Sequence, residues 1–174
     1  MKEKEKITLK ETYHIISHSE EFKNFLKENP DAELCTGFFI LDFFGNDIKK
    51  SLDYKVGERI ISFSINELGE IKTYEDKLIE DKNRDFPELE KIDHKIKLDL
   101  DETEGIAKTL TLDKGISARF NKIIAVLQKY NGKETWNLTC MLEGLIIVHI
   151  LIDAMTGELI KFERKSMMDL IKKK

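Results

Sequence analysis

The sequence predicts an α+β fold of two tandem units, each a helix laid on an antiparallel sheet. Three observations lead there. The phrase "VHILIDAMTGELIKFERK" (148–165) echoes an earlier one, "SFSINELGEIKTYEDK" (62–77). The order helix–strand–strand–strand can be read twice, over 19–76 and 116–163. The run ahead of the second phrase, "ISARFNKIIAVLQKYNG", places Ile116, Phe120, Ile123, Ile124, Leu127 and Tyr130 on one helical stripe, with Gly132 at the left-handed cap position.

The elements follow in order. Residues 1–10 are charged and read as a frayed start. "SEEFKNFLKEN" is a short helix: Ser19 caps the free amides of the first turn, Glu20 and Glu21 suit its positive end, and Phe22, Phe25 and Leu26 share a face. Pro30 and Asp31 end it. "AELCTGFFILDFF" (32–44) is too apolar for an edge loop and reads as a strand buried largely on both faces. "GNDIKKS" is a loop, with Gly45 and Asn46 as turn residues. "RIISFSIN" and "EIKTYE" form a hairpin through Glu67, Leu68 and Gly69. The acidic stretch 80–91, with Pro87, is a linker.

Beyond it, "KIDHKIKLDLD" alternates. Ile92, Ile96, Leu98 and Leu100 lie on one side and Asp93, Lys95, Lys97 and Asp99 on the other, the period of a half-buried strand. "ETEGIAKTL" reads as a short helix weakened by Gly105. After the amphipathic run come the strands "ETWNLTCML", "IIVHILID" and "ELIKFE", then a terminal helix bearing Met167, Leu170 and Ile171. The expected organisation is an N-terminal unit over 1–80, an acidic linker and connecting strand over 81–105, and a C-terminal unit over 106–174.

In the two phrases Ile65, Gly69, Glu70, Glu75 and Lys77 align with Ile152, Gly157, Glu158, Glu163 and Lys165, with one extra residue at Thr156. An internal duplication explains the match together with the shared order of elements. Asp153 and Gly157 read as turn chemistry: a carboxylate that accepts from amides two or three residues on, and a glycine free to take positive φ.

With Trp136 on the first strand of the second copy, "VHILIDAMTGELIKFE" as its closing hairpin and a helix before them, residues 106–165 resemble the PepSY domain. That module occurs in peptidase propeptides and in the YpeB family. The resemblance implies a cystatin-like or PepSY-like unit with a binding or inhibitory role and no catalysis. The first copy departs from the pattern, with Asn66-Glu67 and Leu68-Gly69 in place of Asp-Ala and Thr-Gly.

Composition narrows the function classes. The chain has 174 residues, 36% of them charged, and a net charge of −4 with both signs interspersed, which speaks against a phosphate-rich nucleic-acid partner. The basic end "KSMMDLIKKK" reads as a solvated helix terminus. The longest apolar run, "GLIIVHILI", is too short to cross a bilayer, and the first residues lack the apolar core of a signal peptide, so a cytoplasmic protein is expected. Cys35 and Cys140 lack metal-ligand spacing and read as small buried hydrophobes.

Catalytic patterns are missing. No nucleophile elbow, phosphate loop or dinucleotide fingerprint occurs. His14 and His18 share a helical face but lack a third ligand, while His94 and His149 read as core histidines. "DLDETEG" (99–105) fails as a calcium loop, with Glu104 where glycine is required and Leu110 where a bidentate Glu is required. Phe38, Phe39, Phe43 and Phe44 are expected to form the core between the halves.

The expectation is therefore a non-enzymatic binding or regulatory module with no cofactor. It takes a protein or a small apolar ligand on its sheet face, lined by Trp136, Phe39 and Tyr74. A structural subunit that forms homodimers by edge-strand pairing is the alternative.

Overall fold

Branched and aromatic residues dominate the chain between its loops and build eight strands in a computed structural model that describes residues 6–77 and 89–166. These are β1 (Glu33–Asp42), β2 (Lys49–Val56), β3 (Arg59–Ile65), β4 (Ile71–Lys77), β5 (Phe120–Tyr130), β6 (Lys133–Leu142), β7 (Ile146–Asp153) and β8 (Leu159–Ser166). They form a single antiparallel sheet of order β4-β3-β2-β1-β5-β6-β7-β8. Each run of four strands is a meander, and the two meanders meet where β1 pairs with β5, from Gly37 opposite Leu127 to Asp42 opposite Lys122. The helices are α1 (Leu9–Ser17), α2 (Glu20–Glu28) and α3 (Leu100–Asp113).

This architecture corrects the expected fold class. The chain does not form tandem helix-on-sheet units; both halves contribute to one eight-stranded sheet with one shared core. The error lies chiefly at 116–130, which holds no helix: residues 120–130 are strand β5. Its residues are apolar at both parities. Ile123, Ala125 and Leu127 point into the core, while Ile124 and Val126 point the other way, half-buried. A strand with two apolar faces mimics a helical stripe, and the β-branched side chains are what favour the strand.

Three further expectations are corrected. "KIDHKIKLDLD" makes no ladder: it is an irregular segment, bent at His94, Lys97 and Leu98, that runs into α3 at Leu100. It buries Ile92 and Leu100 and is held by single backbone bonds, Ile92 N–H to Leu34 O and Leu98 N–H to Ala154 O, each 2.9 Å. The expected loop "GNDIKKS" holds the start of β2. The expected frayed start, residues 1–10, supplies the cap and first two residues of α1, a helix not expected from the sequence, whose Thr8 hydroxyl accepts from Glu11 N at 3.1 Å. Residues 81–88 of the expected linker, and the expected terminal helix, lie outside the described residues.

Other elements stand where the sequence places them. Ser19 caps α2 by accepting from Phe22 N at 3.2 Å. The phrases at 62–77 and 148–165 become the β3–β4 and β7–β8 hairpins, with the same loop chemistry. Asn66 Oδ1 accepts from Leu68 N and Glu70 N, and Asp153 Oδ1 from Met155 N and Thr156 N. In each loop a glycine takes positive φ, 77° at Gly69 and 78° at Gly157.

All three helices lie on one face of the sheet. Phe22 of α2 packs its ring 4.9 Å from Tyr54 and 5.3 Å from Phe63, centroid to centroid. Leu9 of α1 sits over Gly37, where an added Cβ would meet Phe39 at 3.1 Å and Leu9 at 3.6 Å, so glycine lets the helix approach. Beneath the 92–99 segment and α3 lies Trp136, whose Nε1–H donates to Leu98 O at 2.9 Å. Side chains such as Phe63, Leu52, Leu138 and Ile150 are fully buried here, each worth about 1.5–3 kcal/mol relative to exposure.

Candidate functional site: the open face of the sheet

Alternation along each strand sends the other set of side chains to the opposite face, over which no described helix packs. Register fixes what stands there. One row runs Lys49, Ile40, Ile124, Thr139, His149, Glu163 from β2 to β8. The next runs Lys72, Ser64, Ser51, Phe38, Val126, Asn137, Leu151, Lys161 from β4 to β8. A third carries Asp42, Lys122, Met141, Ile147 and Lys165.

Phe38, Ile40, Ile124, Val126, Met141, Ile147 and Leu151 thus form a band across β1, β5, β6 and β7. None of them belongs to the core cluster or packs against it. They shield one another: Leu151 is buried and the other six are half-buried. Cations stand around the band. Lys49 Nζ lies 5.2 Å from the centre of the Phe38 ring, and Lys161 and Lys165 both reach the Glu163 carboxylate, at 3.3 and 3.6 Å. A hydrogen bond from Lys161, helped by the charge of Lys165, holds Glu163 below the usual carboxylate range.

His149 is set within the band. Its Nε2 lies 2.6 Å from Asn137 Oδ1 across the β6–β7 pair. Burial pulls its pKa down, and the Lys161 charge adds to this. A neutral imidazole donating to the Asn137 carbonyl is the species this geometry supports.

The three residues expected to line the sheet face fall apart. Phe39 and Trp136 are brought together, ring centroids 5.8 Å apart, but on the helix-covered face, where both are completely buried. Tyr74 alone stands on the open face, 58% exposed on the outermost strand β4. Of the phenylalanine cluster, Phe39 is core and Phe43 packs on it, Phe38 faces outward, and Phe44 lies exposed in the following loop, near Arg119. The residues missed, Phe38, Ile40, Ile124 and Val126, carry a signal visible in hindsight. β1 and β5 are apolar at both parities, which requires two apolar environments, and the helices supply only one.

The His14 and His18 rings lie 4.2 Å apart, tilted by 40°, with His18 Nδ1 on His14 O, and among the described residues no group of three His, Cys, Asp or Glu could hold a metal ion. Both cysteines are buried, and burial pushes the thiols up to about 11 for Cys35 and about 12 for Cys140, unreactive as nucleophiles. Asp153, also buried, is occupied by its own turn. No described helix is long and apolar enough to cross a membrane.

Comparison with known proteins adds to the fold alone. No protein-family model matches the chain, and no curated protein matches it. A crystal structure from Clostridium difficile 630, described as that of a "putative lipoprotein", is similar over 83% of this chain and 90% of its own, with a TM-score of 0.58 and 14% identity.

Proposed function

We propose that the chain is a non-enzymatic binding or regulatory module whose working surface is the open face of the sheet. The band from Phe38 to Leu151, lying outside the core and free of any described helix, is the observation that carries this reading. Contiguous apolar surface rimmed by polar groups is characteristic of protein-binding sites.

The rim selects the partner. Lys49, Lys161 and Lys165 flank the band, and one carboxylate, Glu163, is shared by two of them, so the β8 side carries surplus positive charge. The complementary occupant is a protein segment with apolar side chains flanked by Asp or Glu. Homo-oligomerisation by edge pairing is the weaker reading. The edge strands carry Lys72 and Glu75 on β4, and Lys161, Glu163, Arg164 and Lys165 on β8, charges that discourage strand addition.

Native mass spectrometry on gently purified protein tests the proposal, comparing wild type, Val126→Asp and the double variant Lys161→Glu/Lys165→Glu. The wild type should carry an acidic partner that both variants lose, and that salt strips from the wild type. A bare chain of 20.3 kDa, or a mass retained by both variants, overturns the reading. A dimer would move homo-oligomerisation ahead of it. The double variant alters only half-exposed or exposed side chains, so misfolding would not explain its loss.

A further inference from the structure

On the helix-covered side, between α1, α2 and the irregular segment at 91–94, lies an open cleft of about 620 Å³. It is separate from the sheet face just described, and its lining divides almost evenly between apolar or aromatic side chains and polar or charged ones. Phe22, Leu34 and Ile92 supply apolar wall. Tyr13 and His94 supply a flat aromatic surface, since their rings stack at 3.8 Å with planes 7° apart and both line the cleft. Tyr54 also lines it. That side chain is only 5% exposed, and its hydroxyl is buried with no hydrogen-bond partner among the described residues.

An unpaired buried hydroxyl is costly, and the fold does not need it. Phenylalanine would fill the same aromatic cluster with Phe22, Phe25 and Phe63. Burial, with Tyr13 and Cys35 nearby, pushes the Tyr54 pKa upward, so the group is a neutral donor. Of the charged lining, Glu33, Lys91 and Asp93 are exposed to solvent, while the more buried Lys129 and Glu134 satisfy each other. Lys129 donates to Glu134 at 3.0 Å, and Asp93 N–H donates to the same Glu134 oxygen at 3.3 Å. Burial pushes the Glu134 carboxyl up, but these bonds outweigh it and hold the group below its ordinary value. The closed Lys129–Glu134 pair offers a polar edge without a free charge, and the remaining charges, Glu33, Lys91 and Asp93, stay solvated, which suits an uncharged ligand.

We propose that this cleft binds a flat, uncharged aromatic molecule bearing a carbonyl oxygen, its ring against the Tyr13–His94 stack and its oxygen on the Tyr54 hydroxyl. The ring gains stacking on an ordered aromatic surface. The oxygen supplies the acceptor that the buried hydroxyl lacks.

The test is an amide NMR titration of the full chain with coumarin and 2-quinolone as probes. Shifts are expected at Tyr13, Tyr54 and Ile92–His94. Tyr54→Phe should weaken binding about tenfold, the loss of roughly one hydrogen bond (about 1.4 kcal/mol), while leaving the melting temperature unchanged or higher. A purely structural hydroxyl would leave the affinity untouched. Val126→Asp should bind the probes like wild type, which separates this site from the sheet face. No shift at millimolar probe, shifts confined to the open sheet face, or equal affinity in Tyr54→Phe would each overturn the proposal.

Discussion

Asp99, the N-cap of α3, accepts a hydrogen bond of 2.7 Å from the backbone amide of Leu9, the first residue of α1. Its second oxygen takes Lys10 N at 3.0 Å, and the first also takes Leu100 N at 2.6 Å. One carboxylate thus serves the positive ends of two helices from opposite halves of the chain. Asp99→Ala should destabilise the protein by about 2–3 kcal/mol, more than the usual single cap. Asp99→Asn, which keeps an acceptor, should lose less. Urea denaturation of both variants measures the difference.

Trp136 is the sole tryptophan, completely buried, with its indole N–H on Leu98 O. Its fluorescence should be blue-shifted and resistant to iodide. Trp136→Phe removes volume and strands a carbonyl, and should cost about 2–4 kcal/mol. If Trp136 instead lined an accessible surface, iodide would quench it readily.

The two hairpin glycines should respond unequally to alanine. Both have φ near 78°, so each substitution incurs about 1 kcal/mol of left-handed strain. At Gly69 the added Cβ meets open space, whereas at Gly157 it would come 2.8 Å from Leu98 Cδ1. Gly157→Ala should therefore be the more destabilising by up to about 1 kcal/mol, since Leu98 must rotate away. Equal thermal shifts for the pair would contradict the packing of the 92–99 segment on this hairpin.

His149 sets a pH dependence. Burial first, then the Lys161 charge, lowers its pKa in the folded chain below the ordinary 6.5. Above that value both states are neutral and the group has no effect. As pH falls below 6.5 the unfolded chain takes up the proton first, so stability is lost until the folded pKa is reached. His149→Gln should flatten that part of the stability curve between wild type and variant. An unchanged slope would show that the imidazole is not held neutral.

Much of the fold is legible in local chemistry. Ser19, Asn66 with Gly69, and Asp153 with Gly157 each announce an element boundary through bonds made within five residues, and the structure makes those bonds. What the sequence hides is set at long range. The alternation at 92–100 is real burial, but whether such a segment joins a ladder depends on a neighbouring strand it never acquires. Residues 116–130 satisfy a helical stripe and a two-faced strand equally, and only the pairing of β5 with β1 decides between them. The site was obscured for a related reason. Large aromatics such as Phe39 and Trp136 look like ligand-binding residues, yet they fill the core, and Phe38 with mainly aliphatic residues of the other parity makes the band on the open face.

The central pairing of β1 with β5 has a kinetic consequence. Among the described residues every other strand pairing joins neighbours in sequence, so each meander can zip up through short loops. The seam alone, among the described strand pairings, joins segments far apart along the chain, and its closure carries most of the loop entropy of building the sheet. Refolding should therefore be limited by the meeting of two preformed meanders. In stopped-flow experiments Ala125→Gly at the seam should slow folding, while Ile61→Val in β3 should mainly speed unfolding.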